Sequence, residues 1–225
     1  MKNALARASR TLAIGLATGL AALLTACSLG ETVKPVEYAT FALEFELPAT
    51  KGDPLPWQLA IEQPVAPDAL AGVRVATRES DGSYGVLRAA RWSERAPELL
   101  QSALVRTFED SGRLRGVARA NSALRSDYVL LTEVRAFESD YRGSGPEARI
   151  ALSAKLARSG VRDVLAARVF EQSVAAEGSG PRAVATAFGK AAERLMPELR
   201  DWVFEAARAD AAAAAPQPQA KPPRG

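Results

Sequence analysis

The sequence contains few side chains that could catalyse a reaction or bind a metal ion. Its 225 residues include no His and a single Cys, at position 27. The absence of His removes the commonest general base and the commonest metal ligand. One Cys supports neither an internal disulfide nor a thiolate zinc site. Ser-His-Asp and Cys-His catalysis are therefore excluded, and we expect no catalytic residue, no metal and no cofactor.

Carboxylates are the remaining candidates for acid–base chemistry. Glu133 with Glu138, or with Asp140, falls along one predicted strand. A hydrolase that uses carboxylates alone would need two of them close together in a cleft. We favour the simpler interpretation, in which these residues belong to a solvated outer face. The Gly-Ser-Gly-Pro segments at 143–146 and 178–181 lie in predicted turns and lack the spacing of a phosphate-binding loop.

The excess of positive charge lies at the amino terminus. The chain has 29 Lys and Arg against 26 Asp and Glu, a net charge of +3. Lys2, Arg7 and Arg10 account for this excess, because residues 1–26 contain no acid and the rest is balanced. An uncharged run at 12–24 follows, too short for a membrane span of about 20 residues. We predict a signal peptide over residues 1–26.

The signal peptide ends at the single cysteine. Leu24-Thr25-Ala26-Cys27 resembles the bacterial lipobox. The resemblance implies cleavage between Ala26 and Cys27, a thioether-linked diacylglycerol on Cys27 and an acyl chain on its new amino group. The alternative is an incidental thiol. Ser28, in place of an inner-membrane retention Asp, indicates the outer membrane. Residues 27–37 would form a lipidated tether, and ten extended residues reach roughly 35 Å.

Between the tether and the tail, residues 38–208 are predicted to form one domain. The 48% apolar and 24% charged composition is typical of a folded protein. Alternating apolar residues predict strands at 38–47, 57–61, 73–78, 84–87, 127–140, 148–158 and 164–173. Helical spacing predicts one helix opened by Pro97 and a long helix after Pro181 that is kinked at Pro197. We predict an α+β fold, mainly an antiparallel sheet with two helices packed on one face, and a disordered Ala/Pro/Gln-rich tail over 209–225.

Binding residues are less well marked. Trp57, Tyr84, Trp92 and Tyr141 lie near predicted loops or strand ends, and one or two of them could anchor a protein partner. A stretch without acids carries Arg113, Arg115, Arg119 and Arg125. Lipid headgroups could bind there, but a solvated loop is the simpler interpretation. An exported protein is not expected to bind nucleic acid. The sequence is also compatible with assembly of the chain into a homo-oligomer.

Several segments, in order along the chain, are similar to one known family. They are residues 64–72 with the following strand and Tyr84, Arg91-Trp92, 97–104, 108–112, 126–137 and 183–203. Together with the lipobox they resemble the ABC-type transport auxiliary lipoproteins, the PqiC-like group. The similarity covers roughly residues 38–205.

This resemblance implies a non-enzymatic outer-membrane lipoprotein that faces the periplasm. Its partners would be an MCE-domain protein, an ABC permease and an ATPase, which together move lipids between the two membranes. The domain would dock the far end of an MCE tunnel at the outer membrane. Cys27 is the one residue whose role carries over. A lipoprotein that supports envelope assembly or activates a peptidoglycan synthase is the alternative.

Overall fold

The fold is known from a computed structural model that describes residues 36–48, 50, 52–122, 124–161 and 163–214. The elements are β1 (Ala39–Phe41), β2 (Leu55–Ile61), β3 (Arg74–Arg78), β4 (Tyr84–Trp92), α1 (Ala96–Glu109), β5 (Leu114–Arg119), β6 (Tyr128–Asp140), β7 (Glu147–Arg158), β8 (Val164–Ala175) and α2 (Pro181–Ala214). The predicted signal peptide, Cys27, most of the predicted tether and the end of the predicted tail lie outside these residues. From Tyr38 onward the chain forms a single unit.

The described strands form a single eight-stranded sheet around β6. One edge of β6 pairs with β7 in antiparallel fashion, from Tyr128–Arg158 to Asp140–Glu147. Its other edge is shared by two parallel strands, since β2 pairs with its beginning and β3 with its end. Between them, Val65 forms a parallel bridge to Glu133. Most of β6 is therefore interior to the sheet.

The α+β class is confirmed, but the prediction of a mainly antiparallel sheet is wrong. Four of the seven strand pairings are parallel, namely β1–β4, β2–β5, β2–β6 and β3–β6. Alternating burial identifies a strand but does not identify its neighbours. The pairing depends on where connecting segments return the chain, and α1 returns it so that β5 runs parallel to β2.

The alternation predicted for β7 matches its burial only in part, because Ser153, which we expected to point outward, is buried. Ile150, Leu152 and Leu156 point to the core and are fully buried, whereas Lys155 is exposed. Both helices contribute to the same core, where Phe108 of α1 lies edge to face with Phe204 of α2 at 5.9 Å. Each large apolar side chain buried in this way stabilises the fold by about 1.5–3 kcal/mol. On the other face of the sheet, β6 exposes Leu131, Glu133 and Arg135.

The predicted strand over 38–47 is shorter than expected. Only Ala39–Phe41 pairs as a strand, although Leu43 and Phe45 are buried. The chain remains extended beyond Phe41 but crosses α2 instead of pairing with the sheet. At the crossing, the Glu44 carbonyl is so close to Gly189 that a Cβ at position 189 would collide with it. Here alternating burial arises from packing against a helix.

α2 is longer than predicted. Residues 209–214, which we assigned to the disordered tail, are helical. Alanine has the highest helix propensity, and Asp210 anchors this end to the sheet. Its carboxylate accepts hydrogen bonds from the Tyr128 hydroxyl at 2.9 Å and from Arg158 Nε at 3.0 Å. Burial, with the Asp210 carboxylate, raises the pKa of Tyr128 to about 12, while Arg158 lowers the pKa of Asp210.

Replacing Gly189 by Ala tests the crossing of the chain over α2. We expect Gly189→Ala to lower the free energy of unfolding by about 1–3 kcal/mol, because the added methyl group must displace the Glu44 backbone. Urea unfolding measures this change as a lower midpoint at unchanged slope. Gly145→Ala is the matched control, since a Cβ there meets no atom within 4 Å. Equal midpoints for the two variants would contradict the crossing.

Candidate functional site

The four aromatic residues predicted to bind a partner fall into two groups. Trp92 is 2% exposed and lies in an aromatic cluster, 5.2 Å from Phe137 and 5.1 Å from Phe188 between ring centroids. Trp57 is half-buried and packs edge to face on Tyr128 at 5.1 Å. Both indoles therefore serve packing, and the burial of Trp92 removes it from the candidate surface.

The two tyrosines lie at one corner of the sheet. Tyr84 is 44% exposed, and the guanidinium of Arg78 stacks on its ring at 4.3 Å. The backbone N–H of Tyr141 donates to the carbonyl of Arg78 at 2.8 Å, which brings Tyr141 to the same corner. Val86 lies two residues along β4 from Tyr84 and is also exposed. Tyr84 and Val86, with Arg78, form an amphipathic surface that we call the tyrosine corner.

Glu138 is a buried carboxylate close to this corner. It is 2% exposed, and its Oε2 accepts a hydrogen bond from the Phe137 N–H at 3.1 Å. Burial raises the pKa of Glu138, and the Arg149 guanidinium, 3.7 Å from its carboxylate, opposes that effect only in part. Arg149 has a closer partner in Glu171, at 2.7 Å. Glu138 is therefore a buried acid with an imperfect counter-ion.

Asp140, the other carboxylate that was considered as a partner of Glu133, is in a different environment. Asp140 accepts hydrogen bonds from Arg142 Nε at 3.0 Å and from the Arg142 backbone N–H at 2.9 Å. These bonds lower the pKa of Asp140. Glu133 is exposed on the outer face. Divergent pKa values in neighbouring carboxylates can mark an acid and a base, but here each of the two carboxylates faces an arginine.

The run of arginines is not a solvated loop. Arg115 and Arg119 lie on β5, a strand that the sequence did not predict, and Arg113 immediately precedes it. Arg119 donates to Ser102 Oγ at 2.9 Å and to Gln101, whose amide in turn donates to the Ile61 carbonyl at 2.9 Å. Arg113 stacks on Phe204 at 4.8 Å. Two of the four arginines therefore connect β5 to the helices, while Arg115 and Arg125 remain exposed.

A groove of about 620 Å³ accompanies the crossing segment along the first half of α2. Its charges balance, since Glu44, Glu46 and Glu193 face Arg106, Arg182 and Lys190. The Arg106 guanidinium donates to the Phe45 carbonyl and lies 4.2 Å from that ring. The groove is thus lined by residues already engaged in folding. The sequence contains no signal for it, because its walls are far apart in the chain.

In the described part of the chain, no group of three or more carboxylate or cysteine side chains is placed to hold a metal ion. No described helix combines the length and the apolar character needed to cross a bilayer.

Comparison with known proteins places these features in a family. A family model described as an ABC-type transport auxiliary lipoprotein component matches residues 44–199. The crystal structure of protein XCC0632 from Xanthomonas campestris is 35% identical, with a TM-score of 0.72, and the match covers 77% of this chain and 99% of that one.

Two further matches are more distant. A second crystal structure is 20% identical with a TM-score of 0.59, over 74% of this chain and 99% of that one, and supports the fold alone. Protein bll6063 of Bradyrhizobium diazoefficiens is 30% identical over 111 residues, which is 49% of this chain. The matched segment spans only 30% of that relative's length.

Replacing Glu138 by Gln tests whether its buried charge opposes folding. Because the folded state holds the Glu138 proton more tightly than the unfolded chain does, stability should fall as the pH rises above about 4.3. Glu138→Gln removes that loss, so we expect the variant to be more stable than the native chain at pH 7 and similar to it at pH 4. Thermal unfolding at both pH values measures the difference.

Glu133→Gln is the control, since it changes an exposed carboxylate on the same strand. A Glu138→Gln variant that is less stable at pH 7 would mean that the pairing with Arg149 outweighs the cost of burial.

Proposed function

Because the chain belongs to the ABC-type transport auxiliary lipoprotein family, we propose that it is the lipid-anchored, non-catalytic component of a system that moves lipids between the inner and outer membranes. The observation that carries this proposal is the family match over residues 44–199. As a lipoprotein of a transport system, the chain is associated with a membrane. We assign it to the outer membrane, with its domain facing the periplasm.

The anchor in this proposal is Cys27. Cleavage before it leaves an amino-terminal cysteine, which carries a thioether-linked diacylglycerol and an acyl chain. One acyl chain gives only marginal membrane binding, and each buried methylene adds about 0.8 kcal/mol, so three chains anchor firmly. Ser28 directs the lipoprotein to the outer membrane.

The partner in this proposal is an MCE-domain protein, whose periplasmic tunnel the domain docks at the outer membrane. The geometry supports a docking role because the helices cover one face of the sheet, while the tyrosine corner is open on the other. Exposed aromatic residues beside an arginine are favoured at the centres of protein interfaces. A non-catalytic role is supported by the arginines that face Glu138 and Asp140.

Self-association is compatible with the same role. Within the described part of the chain, β8 pairs with β7 alone, which leaves a twelve-residue strand with a free edge. Free edges offer unpaired N–H and C=O groups to a neighbouring strand. A homo-oligomer built at this edge would present several copies of the tyrosine corner to one partner.

Replacing Cys27 by Ala tests the anchor. We expect Cys27→Ala to lose labelling by radioactive palmitate and to leave the membrane fraction, because no other cysteine can accept the diacylglycerol. Ser28→Ala is the control and should label like the native chain, and Ser28→Asp should shift the labelled protein to the inner-membrane fraction. Undiminished labelling of Cys27→Ala would exclude a lipid at this residue.

Site-specific crosslinking tests the docking partner. A photo-reactive residue placed at Tyr84 should crosslink to an MCE-domain protein in intact cells, and one placed at exposed Glu193 on α2 should crosslink much less. Mass spectrometry identifies the adduct, and adducts of the chain with itself would report the oligomer. Reproducible absence of an MCE adduct from both positions, with the protein correctly localised, would count against the proposal.

A further inference from the structure

A second cavity lies beside the other half of α2 and is surrounded by arginines. Its volume is about 440 Å³, within the range of about 300–1,000 Å³ found for small-ligand sites. Arg200, Phe204 and Arg208 line it from α2, at intervals of four residues that place them on one face of the helix. Thr50 and Arg113 line the opposite side. Three guanidiniums thus meet around one small space.

Arg113 is fixed in position by its surroundings. Its guanidinium stacks on Phe204 at 4.8 Å, and its Nε donates to the Asp53 carbonyl at 3.2 Å. Gly52 has a φ of 138°, and a Cβ there would lie 2.8 Å from the guanidinium carbon, so only glycine allows this approach. A guanidinium that is held by stacking and by Nε keeps its two terminal nitrogens free for bidentate bonds.

The interior of the cavity holds polar groups with unused hydrogen-bonding capacity. Arg200 is 5% exposed, and Asp201, at 2.8 Å from Nε, is the acceptor that the described residues offer it. The Thr50 hydroxyl is buried, and among the described residues it has no hydrogen-bond partner. Buried polar groups are almost always satisfied by protein or by a bound species. The unpartnered Thr50 hydroxyl therefore points to a ligand with an acceptor atom at this position.

The charges around the cavity favour an anion. Two carboxylates, Asp201 and Glu205, also line it. Asp201 is engaged with Arg200, whereas Arg113 and Arg208 have no salt bridge to any described residue. Among the described residues, Glu205 thus faces two guanidiniums that form no salt bridge, and the net local charge is positive. Guanidinium forks match the oxygens of phosphate.

We propose that this cavity is a binding site for a phosphate group. The terminal nitrogens of Arg113 and Arg208 contact the phosphate oxygens, and the Thr50 hydroxyl donates a hydrogen bond to one of these oxygens. Arg200 adds its positive charge from the α2 side of the cavity. The phosphate can belong to a phospholipid headgroup or be free in solution, and the site accepts both by the same chemistry. The proposal does not rest on the transport partner, because the purified chain alone should bind phosphate.

Calorimetric titration of the full lipidated chain in a non-ionic detergent tests the site. The probes are inorganic phosphate, phosphatidylglycerol in the same detergent, and diacylglycerol as a lipid without phosphate. We expect saturable binding of the first two and none of the third. Tighter binding of phosphatidylglycerol than of inorganic phosphate would identify a lipid headgroup site. Equal affinities for these two probes would identify a site for phosphate itself, and both results support the proposal.

Variants locate the binding in the cavity. Arg208 is exposed, so Arg208→Ala should preserve the fold and raise the phosphate dissociation constant by about 10- to 100-fold, as expected for a lost charge-assisted hydrogen bond. Arg113→Lys keeps the charge but loses the fork and should weaken binding as well. Arg194→Ala is the matched control, because it removes an exposed arginine of the same helix outside the cavity. Equal affinities for Arg208→Ala and Arg194→Ala, or no phosphate binding by the native chain, would overturn the proposal.

Discussion

The fold depends on satisfying the backbone hydrogen bonds of β6. This thirteen-residue strand lies inside the sheet, where an unpaired N–H or C=O group would cost free energy. β7 satisfies one edge along its whole length, but β2, Val65 and β3 are each too short to satisfy the other edge alone. They therefore share it in succession. These segments follow one another in the chain and run parallel to β6, so the chain must turn back between β3 and β6. The β3–β4 hairpin and α1 lie in that stretch, and the sheet becomes mixed.

A second consequence concerns the face that the sheet presents to the helices. α2 is 34 residues long, covers most of this face and is held in place by contacts in each of its halves. Gly189 admits the backbone of the crossing segment, and Asp210 joins Tyr128 and Arg158 at the far end. The chain between β1 and β2 is thereby laid along α2, and both the balanced groove and the arginine-lined cavity lie between this chain and the helix. The packing of one connecting segment thus creates the two cavities.

The strength of the local pattern decided how much of this the sequence could predict. The long strands β6, β7 and β8 were predicted within a few residues because their alternation continues over ten or more positions. β5 was missed because arginines and Gly116 interrupt its alternation, and residues 42–47 were overpredicted because a helix buried their apolar side chains. The cavity could not be predicted at all. Arg113 belongs to the acid-free arginine stretch that the sequence marked, but tertiary packing alone brings it to Arg200 and Arg208.

Arginine has two uses in this domain, and the surroundings of each stacked guanidinium distinguish them. Among the described residues, five arginines stack on aromatic rings. Arg168, for example, covers Phe170 of the core. Arg113 differs because its stack lies beside a cavity that also holds Arg200 and Arg208. Residues 27–225 carry 26 basic and 26 acidic side chains, so attraction for an anion cannot come from their net charge. It must come from this local arrangement, in which rigid guanidiniums outnumber the carboxylates available to neutralise them.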